Sequence, residues 1–397
     1  MLERINIKIF KEFFKSGSAG GFILIGCLVL SLLIANSPLG TGFNTLLAAE
    51  IGPVFGAVSL NYPVIIWIND GLMAIFFLLV GLEIKRELIE GELSTFKKAS
   101  LPAFAAIGGM LVPALIYALL NNSSPTAAGW GIPMATAIAF AIAVLSILGN
   151  RVPVSLKIFL TALAIVDDLG AILVIAIFYS SELHLNYLLY AAGVLALLVV
   201  FNLSGVKSII FYLIPGLFMW YFIHHSGVHA TIAGVLTAFT LPTTVGAIES
   251  PLEKLEHALT KPVNFIIMPI FALANTNIRL EGDLLGGLTS NLSLGILFGL
   301  LIGKPLGITL LSWLSVKMGI SALPKGIKWA QVIGAGVVAG IGFTMSIFIA
   351  LLSFSQPEVQ AEAKFAILIT SLSAGIIGFL FLNSFGKRLK TDINEGN

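Results

Sequence analysis

Ile158-Phe159-Leu160-Thr161-Ala162-Leu163-Ala164-Ile165-Val166-Asp167-Asp168-Leu169-Gly170-Ala171-Ile172-Leu173-Val174-Ile175 sets two adjacent carboxylates near the middle of a run, Pro153 to Tyr179. The run is otherwise long and apolar enough to cross a bilayer. An ionisable group at such depth costs at least about 2.5–3.5 kcal/mol, so it normally faces a cavity or a partner and marks an ion or proton path. The rest of the chain is read outward from this pair.

The chain has 397 residues, 57% hydrophobic and 11% charged, with a mean hydropathy of +1.01. A soluble domain carries about 25% charged residues. The composition therefore describes an all-α polytopic membrane protein whose first partner is the lipid bilayer. The net charge of +2, with no long basic tract, argues against nucleic acid. Cys27, the single cysteine, lies in an apolar run and excludes an intrachain disulfide. Met1 to Ala19 spreads Arg4, Lys8, Lys11 and Lys15 through an amphipathic segment, and no clear cleavage site follows the next apolar run. That run reads as a first transmembrane helix rather than a cleaved signal.

About twelve candidate spans of roughly 17–25 residues follow one another. They are centred on Gly20 to Asn36, Pro63 to Leu82, Leu101 to Leu120, Trp130 to Leu148, Pro153 to Tyr179, Leu185 to Leu203, Ile209 to Ile223, Val228 to Leu241, Val263 to Asn275, Leu292 to Val316, Ala330 to Phe354 and Phe365 to Leu382. The seventh to ninth are short. Loops are short throughout, so residues 1–397 read as a single integral membrane transporter domain. The longest loop, Ser37 to Tyr62, suits a small hairpin or an interfacial piece.

Basic residues give the orientation. With a cytoplasmic N-terminus the inner segments hold 19 of the 22 basic residues and the outer ones only Arg279 and Lys364, while Lys304 lies within a span. The positive-inside rule then places both termini in the cytoplasm and requires an even number of spans.

Two spans are poor helices. Gly129-Trp130-Gly131-Ile132-Pro133-Met134-Ala135-Thr136 interrupts the fourth, and Gly334, Gly336, Gly340 and Gly342 lead into Phe343-Thr344-Met345-Ser346 in the eleventh. Close helix packing is the plainer explanation of membrane glycines. The sharper reading is a pair of interrupted, crossing helices in an inverted repeat, with spans three to five and ten to twelve as the two triplets. Interrupted helices at corresponding positions present backbone dipoles and carbonyls to ions.

Few charges are committed to the membrane: Asp167, Asp168, Lys304 in Leu300-Leu301-Ile302-Gly303-Lys304-Pro305, and Asp70 nearer the outer side of the second span. An amine and two carboxylates at one depth offset each other, as a structural salt bridge would. Adjacent helical residues differ by about 100°, so one carboxylate can face Lys304 while the other faces a water-filled cavity. Mutual repulsion and burial favour protons on the pair, and Lys304 opposes that for the nearer acid. A site of this kind takes a small hard cation or protons, but not both comfortably. That competition is the chemistry of an exchanger.

Several motifs together resemble the bacterial sodium/proton antiporter family NhaA over nearly the whole chain. They are Ala164-Ile165-Val166-Asp167-Asp168-Leu169-Gly170-Ala171, Leu301-Ile302-Gly303-Lys304-Pro305-Leu306-Gly307, Gly227-Val228-His229-Ala230-Thr231, Phe76-Phe77-Leu78-Leu79-Val80-Gly81-Leu82-Glu83 and Gly340-Ile341-Gly342-Phe343-Thr344-Met345-Ser346-Ile347. The resemblance implies an inner-membrane, electrogenic carrier, not an enzyme and without a cofactor, that expels Na+ or Li+ in exchange for H+. It implies that Asp168 and Asp167 carry the cation or the protons, that Lys304 pairs with Asp167 until sodium binds, and that Thr136 lies at the fourth-helix break. It maps Glu83, Arg86, Glu87, Glu256 and His257 to a cytoplasmic region linked to pH activation and His229 to a position that tunes it. A homodimer is expected by the same analogy. From the residues themselves, Glu83 to Glu87 would be a helix-end charge cluster and His229 an interior hydrogen-bonded histidine.

One departure falls at the site. The family reads Ala-Thr-Asp-Ile-Ala-Phe where this chain has Ala135-Thr136-Ala137-Ile138-Ala139-Phe140. The family aspartate offsets the positive ends of the broken helices, and Ala137 does not, so weakened cation affinity or a shifted pH profile is expected unless packing or water compensates. Other classes fit less well. An intramembrane aspartyl protease needs carboxylates opposed from different helices, and a passive channel would lack the competition between Asp167 and Lys304. The serious alternatives are a sodium-coupled symporter of an organic solute, which would need a roomier polar cavity, and an antiporter impaired by Ala137.

Overall fold

Hydrocarbon offers backbone groups no partners, so an apolar run of this kind satisfies its N–H and C=O groups internally as a helix. The computed structural model describes residues 2–55, 58–122, 124–180, 182–243, 249–279 and 284–394. The basic side chains of the termini, Arg4 to Lys15 and Lys387 to Lys390, lie outside those described. Among the described residues eight helices are long and apolar enough to cross a membrane, or up to ten if each of two bent pairs is one span. In chain order the helices are α1 Leu2–Ala35, α2 Gly40–Ala48, α3 Val64–Ile89, α4 Phe96–Leu120, α5 Ile138–Leu148, α6 Val154–Phe178 and α7 Leu185–Leu203. There follow α8 Ile210–His224, α9 Ile232–Thr240, α10 Pro251–Asn275, α11 Asn291–Lys317, α12 Trp329–Ala339, α13 Phe343–Ser353 and α14 Pro357–Asn394.

The chain divides into two compact units. One comprises Met1–Ile23, Glu92–Ala171 and Leu280–Asn397, the other Leu24–Gly91 and Ile172–Arg279. The first unit therefore holds spans three and four, the fifth as far as Ala171, and spans ten to twelve. Within it α4 and α11 lie antiparallel. Ser321 donates to Ser100 near one end, and Asn121 donates to the Asn291 carbonyl near the other. Midway, a Cβ on Gly108 would collide with the Gly307 carbonyl, and one on Gly307 with the Gly108 carbonyl. This reciprocal contact is the kind that a local two-fold axis makes, and it requires glycine on both sides. Ile107, Leu111, Leu115 and Leu119 form the outer stripe of α4 at helical spacing and are exposed, as a lipid-facing stripe would be.

The second unit packs α9 against α3, with Gly81 so close to Ala238 that a Cβ would lie 2.7 Å from its methyl group. Its core includes Leu82, Leu198, Tyr212, Met219, Ala238 and Leu252. Three details differ from the sequence reading. The ninth span begins at Pro251, not Val263, because Ser250 and Glu253 form a reciprocal capping box with the proline in the first turn. Lys254 and Lys261 thus sit on the helix rather than in a loop. The seventh and eighth segments form helices of 15 and 9 residues, below the length that crosses a bilayer alone, so helix length by itself does not return the number twelve. The Ser37 to Tyr62 stretch holds helix α2 and then short strands, Glu50–Ile51 and Val54–Phe55, pairing antiparallel with Tyr62–Pro63 and Val58–Ser59.

Candidate functional site

The fourth span winds as a tight helix of three residues per turn over Ala127–Met134, runs extended at Ala135 and Ala137, and resumes as α5 at Ile138. Gly129, Gly131 and the N–H-less Pro133 explain why no regular helix forms here. The eleventh span stops at Ala339 and restarts at Phe343 with its axis bent by 49°. The two breaks hold each other. The Ala137 N–H donates to the Ile341 carbonyl at 2.7 Å, the Thr136 hydroxyl lies 3.0 Å from the Ala339 carbonyl, and Ser346 donates to the Ile132 carbonyl at 2.8 Å. These are the backbone groups that an interrupted helix leaves without internal partners.

Lys304 reaches this junction from α11. A widened, π-helical turn at Gly299–Gly303 precedes it and Pro305 follows, so the helix is locally irregular at the lysine, as is frequent at functional sites. Gly299 packs on Pro133 and Gly303 on Pro113, at distances where a side chain would clash. The ammonium donates to the Met134 carbonyl and, at 2.6 Å, to Asp167 Oδ2. Thr136 Oγ1 donates to the same carboxylate oxygen at 2.7 Å. A hydroxyl has one proton, so Thr136 serves Asp167 or the Ala339 carbonyl at any moment, not both.

Burial here is nearly complete: Asp167 is 1% exposed, Asp168 2%, Thr136 and Lys304 0%. Asp168 contributes to the electrostatic field at Lys304. Asp167 Oδ1 finds no hydrogen-bond partner among the described residues, leaving lone pairs available to a proton or a cation. Ala137 occupies the N-cap of α5, is 2% exposed and gives that helix no side-chain cap.

The sequence-predicted group Thr136, Asp167, Asp168 and Lys304 is therefore one buried cluster, with Ala137 at its edge. The other predicted residues form separate groups in the second unit. Arg86 donates through Nε to both oxygens of Glu256, at 3.1 and 2.9 Å, and its Nη1 lies 3.0 Å from Glu87. Glu83 is within electrostatic range of Glu256, Arg86 and Glu87. His257 turns aside to Glu249 at 3.4 Å and is largely exposed. His229 pairs with the Thr231 hydroxyl at 3.0 Å and has Asp70 3.9 Å from its other ring nitrogen.

The Na+/H+ antiporter 1 family matches residues 11–382. The chain belongs to the NhaA sodium/proton antiporter family. It is 62% identical over 388 residues to a Na(+)/H(+) antiporter NhaA 2 of Flavobacterium johnsoniae, covering 98% of this chain and 95% of that protein. It is 52% identical over 374 residues to the NhaA antiporter of Flavobacterium psychrophilum, covering 94% and 95%. With an Escherichia coli NhaA it shares 48% over 380 residues, covering 95% and 98%. NhaA proteins are transporters, not enzymes, and the apolar helices make this chain a multi-pass membrane protein.

Sequence reasoning did not assign roles to the carbonyls of Met134, Ala339 and Ile341, since main-chain atoms exposed by a break have no residue signature. It also passed over His224, whose Nδ1 lies 3.1 Å from Asp70, and Ser371, which accepts the Phe343 N–H at 3.0 Å. A histidine near a helix end and a serine among small residues carried no pattern strong enough to single them out.

Proposed function

We propose that this chain exchanges cytoplasmic Na+ or Li+ for external H+ across the bacterial inner membrane, electrogenically and under pH control, with both termini in the cytoplasm and the whole chain acting as one transporter. The observation that carries the reading is the buried Lys304–Asp167 contact at 2.6 Å, set where two helix breaks meet. In this reading Lys304 is the resident counter-charge of Asp167. A sodium ion arriving at Asp168 and at the open Oδ1 of Asp167 brings a second positive charge, and the two compete for one carboxylate. Carboxylate and carbonyl oxygens are ligands suited to a hard cation. Protonation of the pair expels the cation, so cation and protons bind in turn as the site alternates between the two membrane faces. The Glu83, Arg86, Glu87, Glu256 and His257 group is the proposed region of pH response, with His229 tuning it.

Ala137 supports a second reading, an antiporter of reduced affinity, because a neutral side chain stands at the N-cap of α5 where a carboxylate would meet the positive helix end. Purified chain in vesicles carrying a preformed pH gradient tests both. Dissipation on adding Na+ or Li+ but not K+, lost in Asp168→Asn, supports exchange with Ala137 tolerated. No dissipation by the parent but recovery in Ala137→Asp supports the impaired form, and silence of both rejects the antiporter.

A further inference from the structure

Helix α14 runs antiparallel to the broken eleventh span with a defined register. A Cβ on Gly378 would lie 2.6 Å from Val338 Cγ2, one on Gly375 3.7 Å from Ile341 Cδ1, and one on Gly334 2.5 Å from Leu382 Cδ2. Ser371 meets Phe343 at the end of the same seam. Residues 371, 375, 378 and 382 fall at helical spacing on one face of α14, and Ser371 is the polar member of the four. It stands level with the restart of the helix, where first-turn N–H groups lack intrahelical acceptors.

We infer that Ser371 is a positioning residue for the cation site: its hydroxyl caps α13 from a neighbouring helix and so fixes the break on which Thr136 and Asp167 rest. The connection is continuous. Phe343 N–H is held by Ser371. Two residues earlier the Ile341 carbonyl takes the Ala137 N–H, and two before that the Ala339 carbonyl faces the Thr136 hydroxyl, which contacts Asp167. Three backbone groups at alternate residues of one short segment are thus each tied, two to the fourth-helix break and one to α14. The Ala137 N-cap of α5 has no side-chain cap, and Gly342, the N-cap of α13, has none of its own. Ser371 supplies from outside what position 342 cannot. Without it the Phe343 N–H is buried without an acceptor, and the segment relaxes away from the geometry that presents Ala339 and Ile341 to the other break.

The inference rests on the exchange activity proposed above, and the test separates the two. Half-saturating Na+ and maximal rate are measured in vesicles for the parent, Ser371→Ala, Ser371→Thr and Ser373→Ala. Ser373 lies on the same helix, is half-buried, and donates to the Ile369 carbonyl one turn back. Loss of one net hydrogen bond in a preorganised site corresponds to about a five-fold change in affinity. Ser371→Ala is expected to raise half-saturating Na+ by that factor with the maximal rate retained, while Ser371→Thr and Ser373→Ala match the parent. A parent without Na+-dependent exchange fails the functional reading itself. An active parent with Ser371→Ala unchanged overturns the positioning role, and so does equal impairment in Ser371→Ala and Ser371→Thr, since the hydroxyl would then be irrelevant.

Discussion

At the scale of single residues the cluster is defined by charge compensation. Lys304 is fully buried, and its compensation comes from Asp167, the Met134 carbonyl and the nearby Asp168. Removing one partner of a buried ion pair leaves the other uncompensated, at a cost of about 3–5 kcal/mol, whereas neutralising both is far milder. Thermal unfolding in detergent is therefore expected to fall sharply for Lys304→Ala and for Asp167→Asn alone. The double variant Asp167→Asn with Lys304→Gln should unfold closer to the parent than either single change, while transporting poorly. Additive losses in the double variant would contradict the pairing. The acidic pair and the lysine were legible in the sequence because a charge inside an apolar run has few alternatives. Which acid the lysine holds was not legible from spacing, since either face of the helix was open to it.

At the scale of elements the breaks were suggested by Pro133, Gly131, Gly340 and Gly342, residues that weaken a helix within a span without forbidding it, since α4 runs unbroken through Pro102 and Pro113. Their mutual hydrogen bonds were not, because each reaches a main-chain carbonyl more than two hundred residues away. Position 137 is an N-cap, and exchanging alanine for aspartate at such a position gains about 1 kcal/mol in a typical helix. Ala137→Asp is expected to raise the unfolding temperature modestly and to lower half-saturating Na+; unchanged unfolding and affinity would show that the α5 terminus is already satisfied. The α4–α11 contact makes a stricter demand. A methyl group at Gly307 would meet the Gly108 backbone and lie 2.9 Å from Val112 Cβ. Backbone cannot rotate out of the way as a side chain can. Gly307→Ala is accordingly expected to destabilise by about 1–3 kcal/mol, as overpacking does, and Gly307→Val by more, read from unfolding in detergent. Tolerance of valine would mean that the helices separate freely there.

At the scale of the whole molecule, hydropathy identifies a polytopic membrane protein but counts spans poorly where helices are short. Helix α9 has nine residues and leans on α3 through Gly81 and Gly234 rather than on its own length. The ninth span extends beyond its apolar run because its first turns, Pro251 to Pro262, are an amphipathic helix, which hydropathy does not mark as part of a span. The proposed orientation rests on a separate signal, the 19 of 22 basic residues that the twelve-span reading puts on one set of alternating segments. A single added or lost span would mix the two sets, so sidedness tests the count as well. Cys27 is the native thiol and is replaced by serine; new cysteines are then placed at Thr41, in the segment after the first span, and at Thr95, before the third, both exposed. In intact cells a membrane-impermeant maleimide is expected to label the protein carrying Thr41→Cys and to spare the one carrying Thr95→Cys until the membrane is permeabilised. The reverse pattern would invert the molecule and place the termini outside. Labelling of both positions in intact cells would mean that the second span, which alone separates them, does not carry the chain across, and the alternation of inner and outer segments on which the orientation rests would fail.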